Sequence, residues 1–128
     1  MRNISFQLTE PQFIDGSKDV TRRLGWLRLK PGDRLMACRK CMGLRRGEQI
    51  TRLGPIEIVD VRREPLRRML DDPTYGRAEA AREGFPELSG SEFVGMFCLH
   101  MSCPSSTIIT RIQFRKMDHR GGGAAAPR

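Results

Sequence analysis

The chain has 128 residues, 38% of them hydrophobic, which is enough for one modest core and leaves little for a second. Its 23 Lys and Arg against 15 Asp and Glu give a formal net charge of +8, and the last ten residues contribute only Arg120 and Arg128 to it, so the charge belongs to the body. A small basic domain attracts polyanions, nucleic acid above all. A membrane partner is argued against, because no apolar run is long enough to cross a bilayer and no long amphipathic basic stretch is present.

The segment Arg2 to Leu8 alternates apolar Ile4, Phe6 and Leu8 with polar neighbours, the period of a half-buried strand. Glu10 to Asp15 reads as a short helical turn with Pro11 at its start, closed by Gly16. Ser17 to Gly25 follows as a polar, cationic loop. Lys30-Pro-Gly-Asp33 is a turn signal, and Asp33 to Cys38 the next strand. Arg39 to Leu53, dense in Arg, Lys and Gly, predicts a basic excursion between two strands.

Gly54 to Arg62 alternates again and is the clearest strand of the chain. Pro65 to Leu70 can make a short helix, and Arg77 to Arg82 is Ala-rich and helical in propensity. Ser89 to Leu99 opens as a helix, with Ser89 or Ser91 as cap and Glu92 in the first turn; Phe93, Met96 and Phe97 fall on one face. Ser106 to Arg115 closes the domain as a strand, with Ile108, Thr110, Ile112 and Phe114 alternating. One domain over residues 1–117 is expected, followed by a Gly- and Ala-rich tail, 118–128, that has no means of burying surface.

Several of these segments, in this order, resemble the ASCH family. They are Ile4-Ser-Phe6, Gly16-Ser-Lys-Asp-Val-Thr-Arg-Arg23, Leu29-Lys-Pro-Gly-Asp33, Ile56-Glu-Ile-Val-Asp-Val61, Arg82-Glu-Gly-Phe85, the helix containing Phe93, and Thr110-Arg-Ile-Gln-Phe114. The resemblance covers about residues 2–116, rests on order and spacing, and is closest to the small bacterial and phage-borne ASCH proteins. It implies an α+β fold: a PUA-like, mainly antiparallel β-barrel of five or six strands, closed or nearly so, with short flanking helices. Beside the barrel it implies a cleft suited to a nucleoside or a single-stranded RNA segment. Periodicity alone gives only a mixed α+β barrel.

Two functions follow from the resemblance. The first is binding of RNA or a modified nucleoside. The second is hydrolysis of the N4-acyl group of cytidine-type nucleosides, since some small members resemble amidohydrolases with a Lys, a Thr three residues later and a distant Glu. Carried over by position, these match Lys18, Thr21 and Glu83. Thr21 would be the nucleophile and Lys18 the base that takes its proton. A lysine can do so near neutrality only when burial or a neighbouring cation lowers its pKa. Arg22 and Arg23 are candidate cations for that effect, or phosphate contacts. Glu83 could orient Lys18, yet its charge opposes the depression.

The remaining basic and aromatic residues are candidate RNA contacts. Lys40, Arg45 and Arg46 lie in the basic excursion, and Arg62, Arg63, Arg67 and Arg68 form a second cluster, although such clusters are more often solvated faces. Trp26 and Tyr75 stand in loop-like contexts where a ring could stack on a base, whereas Phe6, Phe93, Phe97 and Phe114 read as core. Cys38-Arg-Lys-Cys41 and Cys98 with Cys103 invite a zinc reading, but a strand running through Cys41 would point residues 38 and 41 to opposite faces. No metal and no cofactor is expected. Nor is there a signal-peptide pattern, so a cytoplasmic monomer with reduced thiols is expected.

Overall fold

A computed structural model of the chain describes residues 1–41 and 44–117. The expected disordered tail, 118–128, lies outside them. The fold is α+β: a curled five-stranded mixed sheet with short helices against it. The strands are β1 (Arg2–Ser5), β2 (Val20–Arg23), β3 (Arg34–Cys38), β4 (Arg52–Pro65) and β5 (Ile108–Lys116). The helices are α1 (Glu10–Asp15), α2 (Arg68–Asp71), α3 (Pro73–Arg82) and α4 (Gly90–Met101). Among the described residues no helix is long and apolar enough to cross a membrane.

The sheet runs β1-β3-β4-β5-β2, with β1 parallel to β3 and every other pair antiparallel. The 14-residue β4 organises it, pairing β3 through its first half and β5 through its second. A register shift between Ile58 and Asp60 bulges this strand, and a second shift lies between Ala37 and Cys38 of β3. Bulges bend and twist a strand, and here they curl the sheet. The curl stops short of a ladder between the edge strands β1 and β2. Instead the Arg23 guanidinium reaches across, donating from Nη2 to the Ser5 carbonyl at 2.5 Å.

The element order follows the sequence reading with two changes. The first strand ends at Ser5, and Gln7–Thr9 turn into a 3-10 helix, so Leu8 is exposed while Phe6 stays buried. More consequentially, the stretch expected to be a cationic loop contains β2, which pairs with β5. Its Thr-Arg-Arg lacks the apolar alternation that marks a strand because it is buried around charges.

Two apolar cores lie on either side of the sheet. Inside the curl, Ile4, Phe6, Leu35, Ile56, Ile58, Ile112 and Phe114 pack with Phe13 of α1, whose ring stacks on Phe6 at 5.1 Å. Each such side chain contributes roughly 1.5–3 kcal/mol by leaving water. Gly16 ends α1 in the left-handed conformation (φ 84°). On the outer face, Ile109 of β5 and Leu66 pack with Met69, Ala80, Phe93, Val94 and Phe97 of the helices.

Local signals fix these helices. Asp72 caps α3 by accepting from the Tyr75 N–H, and Ser89 and Glu92 form a complete capping box on α4. The helices α3 and α4 meet backbone to backbone at Gly76 and Gly90. A Cβ on Gly76 would lie 2.1 Å from the Met69 carbonyl oxygen and 2.9 Å from the Gly90 Cα.

Candidate functional site

The site lies where the two cores meet. Lys18, just before β2, is turned inward and only 3% exposed. Its amine donates to the Glu83 carbonyl at 2.8 Å, the Glu83 carboxylate at 3.0 Å and the Val20 carbonyl at 3.0 Å. Glu83 follows the last residue of α3, so the ammonium satisfies a carbonyl that the helix end leaves without a partner. Gly84 (φ 104°) turns the chain away at once, and a Cβ there would press on Gln12 at 3.0 Å. The Glu-Gly-Phe run is thus a helix-ending turn.

Burial pushes the Lys18 amine below its ordinary pKa, and the Glu83 carboxylate offsets this only in part, while Arg23 and Arg22 push in the same direction as burial. The competition left open by the sequence is won by burial. Thr21 lies in the adjacent strand, equally buried, and its hydroxyl oxygen accepts from Arg23 Nε at 3.0 Å. No hydrogen bond joins Lys18 to Thr21, because all three ammonium protons go to Glu83 and Val20. Lys18 and Glu83 are therefore in direct contact, and Thr21 reaches them only through the cavity all three line.

That cavity has a volume of about 430 Å³. One side is polar: Lys18, Thr21, Arg22, Arg23 and Glu83. The other is apolar: Phe85 from the turn after α3, with Phe93, Met96 and Phe97 of α4. Ser5, the last residue of β1, the stretch from Phe6 to Thr9 that follows it, and His100 and Met101 at the end of α4 also line it.

Behind the polar side is a cluster of buried charges that sequence reasoning missed. Arg22 and Arg111 are register partners across β2 and β5, a repulsive juxtaposition for two cations. Glu79 of α3 sits on both. Its Oε1 accepts from Arg22 and from Arg111, each at 2.6 Å, and its Oε2 accepts from Arg111 at 3.0 Å. Burial alone would raise the Glu79 carboxyl, but the two guanidiniums, Arg111 foremost, hold it down at about 2. Arg22 also reaches Glu64 at 3.2 Å, Glu83 at 3.3 Å and the Tyr75 hydroxyl at 3.3 Å. Three cations (Lys18, Arg22, Arg111) thus interleave with three carboxylates (Glu64, Glu79, Glu83), all at most 6% exposed.

One sequence signal did point to this cluster. Ile109 is an apolar residue on the face of β5 that alternation would leave in water, which marks both faces of that strand as covered.

The placement reassigns several candidates. Arg22 is an internal counter-ion, its terminal nitrogens taken by three carboxylates and Tyr75, so it is not placed as a phosphate contact. Arg23 lines the cavity and braces Thr21. Tyr75 is a structural hub: its hydroxyl donates to Glu64 at 2.8 Å and its ring lies under Arg68 at 4.1 Å. Trp26 is outside the cavity, with the Arg2 guanidinium over its ring at 4.1 Å. Lys40, Arg45 and Arg46 are also outside it; Lys40 is 3.8 Å from Glu48, and Arg45 and Arg46 are exposed. Of the second cluster, Arg62 and Arg68 pair with Glu64 and Arg67 with Asp71.

The opposite-face argument about the thiols also needs correction. The strand β3 ends at Cys38, so nothing turns Cys41 away, and the Cys38 thiol is pushed up to about 11 by burial and by Cys41 beside it.

No family model matches the chain, and no curated protein matches it either. Among solved structures, it is similar to the crystal structure of protein EF3133 from Enterococcus faecalis V583, of family DUF984. The TM-score is 0.56 and the identity 13%, over 86% of this chain and 70% of that one. The likeness is one of fold.

Proposed function

We propose that this protein binds a nucleoside, free or as a base unstacked from single-stranded RNA, in the cavity between β2 and α4. The observation that carries this reading is the convergence of an aromatic wall and a fixed polar side in one cavity of nucleoside size. A base offers a flat face for Phe85, Phe93 or Phe97 and an edge for the Thr21 hydroxyl and the Arg23 guanidinium. The likeness of the Lys18 to Arg23 stretch to the ASCH pattern supports the same assignment, and the curled five-stranded sheet is compatible with it. The exposed Arg45 and Arg46, with the half-buried Lys40, would add phosphate contacts that position RNA without reading its sequence.

A second reading, hydrolysis of an N4-acyl group from a cytidine-type nucleoside, is favoured by one observation. The lysine with the depressed pKa shares the cavity with Thr21 and touches Glu83. Thr21 Oγ1 would attack the acyl carbon while its proton passes to Lys18. The C–N bond then breaks as Lys18 returns the proton to the leaving amine, and water hydrolyses the ester left on Thr21. The Arg23 Nε–H, already on Thr21, would stabilise the developing alkoxide. For this, Lys18 must first lose to solvent one of the three protons it now donates, a loss that its lowered pKa favours, and turn the freed lone pair to Thr21.

Incubation with N4-acetylcytidine, following both binding and release of free cytidine, tests the two together. Saturable binding without release is the result expected of a binder. Release that Thr21→Val abolishes while binding persists would establish the enzyme. Absence of both would overturn the assignment of the cavity.

A further inference from the structure

Most of the buried or half-buried cations of this protein have a carboxylate partner, but three exposed arginines that converge on one spot have none among the described residues. Arg2 at the start of β1, Arg28 in the loop after β2 and Arg34 at the start of β3 line a second, shallower pocket of about 240 Å³ with Leu29, Leu35 and Asp33. None of the three makes a hydrogen bond or ion pair within 4.0 Å to a described acidic residue. The one carboxylate there, Asp33, is occupied by Lys30, which donates to it from its backbone N–H at 3.0 Å and from Nζ at 3.1 Å. The pocket therefore carries net positive charge. Like charges brought together without an internal counter-ion repel, and an external anion relieves that repulsion.

A second observation comes from Trp26. It is held in a left-handed backbone conformation (φ 54°) that bulky residues rarely adopt, directly after Gly25 (φ 81°). Its ring packs against the inner core while its face supports the Arg2 guanidinium. Strained backbone of this kind persists where surrounding contacts over-determine it, often at ligand sites. Here it holds the ring that lies under Arg2, one of the residues lining the pocket.

We propose that this pocket is a phosphate-binding subsite, which holds a backbone phosphate of a single-stranded RNA whose base occupies the main cavity. The proposal rests on the nucleoside reading for its second half only. Placement carries that half. The pocket includes the first residue of β1 and the cavity its last, so the two sit at opposite ends of a strand only about 10 Å long. Roughly three nucleotides of stacked strand, at about 3.4 Å each, span that distance. Arginine suits the task, since its planar fork meets phosphate oxygens in pairs.

Trp26 is the single tryptophan of the chain and lies under Arg2, so its fluorescence reports on this pocket directly. Titration with inorganic pyrophosphate should change the emission saturably, and Arg28→Ala with Arg34→Ala should remove the response while leaving thermal unfolding unchanged. Tetracytidylate should bind at least tenfold more tightly than cytidine. The double variant should reduce that advantage and lower the slope of log affinity against log salt by about 0.7, the value for the one single-strand phosphate that the pocket holds. No emission change with pyrophosphate, and a wild-type salt slope in the double variant, would overturn the subsite and leave nucleoside binding in the cavity intact. A pyrophosphate response without any advantage of tetracytidylate over cytidine would make this a site for free phosphate groups and overturn the strand path. A pyrophosphate response lost in the double variant, with no cytidine binding at all, would support the subsite and remove the nucleoside reading instead.

Discussion

Two regions of this small protein are equally dry and are built on opposite principles. Inside the curled sheet, Phe6, Phe13 and Phe114 pack ring against ring with aliphatic neighbours. On the other side of β2 and β5, Arg22, Arg111 and Lys18 are interleaved with Glu64, Glu79 and Glu83. The aromatic core is non-directional: its stabilisation grows with area, and a substitute of similar volume recovers most of it. The ionic cluster is directional and mutually dependent, since every member neutralises at least one other. An apolar region therefore degrades gradually, while a charged one fails when a single member is lost. The protein places the second kind of region beside its cavity, where orientation matters more than area.

Glu79→Ala should break this contrast most sharply. It leaves Arg22 and Arg111 facing each other across the strands and should cost about 3–5 kcal/mol in chemical denaturation. Replacing all three together (Arg22→Met, Glu79→Leu, Arg111→Met) should recover much of that loss, because the desolvation penalty goes with the charges. A triple variant no more stable than Glu79→Ala would show that the cluster is net stabilising.

Acid should act on the same group. The folded Glu79 carboxyl titrates at about 2 against an ordinary value of 4.5, so the unfolded chain takes up its proton first. Its contribution is fully present above about pH 4.5 and is lost as pH falls towards 2, amounting to about 3 kcal/mol. Unfolding midpoints between pH 5 and pH 2 measure it, and Glu79→Gln should flatten the dependence.

In the aromatic core, Phe13→Leu should cost only about 1 kcal/mol, since most of the buried volume survives. A loss as large as that from Glu79→Ala would erase the distinction between the two regions. Outside both, Arg45→Ala with Arg46→Ala should leave stability within about 0.5 kcal/mol and alter only the salt dependence of RNA binding.

The contrast also explains what could be read from the sequence. Elements stabilised by apolar periodicity or by local capping were legible: Ile56 to Val61 in β4, the Ser89 and Glu92 box of α4, and Gly16 closing α1. The strand β2 was not, because its Thr-Arg-Arg is strand by virtue of partners ninety residues away in β5 and carboxylates in α3 and β4. The meeting of Lys18 with Glu83 was anticipated only through the family resemblance, as sixty-five residues separate them and neither carries a local signal. From the sequence, Arg22 is a candidate for lowering the Lys18 pKa or for contacting phosphate, and nothing local marks it as an internal counter-ion. Its burial depends on Glu64, Glu79 and Glu83 together, a convergence that no window of sequence contains.

The glycine contact between α3 and α4 has a kinetic consequence. With Gly76 against Gly90, the two helix backbones leave no side-chain layer in which to slide. One helix leads directly into Glu83, and the other carries Phe93 and Phe97. Glu83 and the aromatic wall of the cavity are thereby joined in one rigid body, and a ligand meets a slot whose shape does not wait for it. Association should accordingly be a single step, its observed rate rising linearly with ligand concentration and showing no plateau from a slow opening.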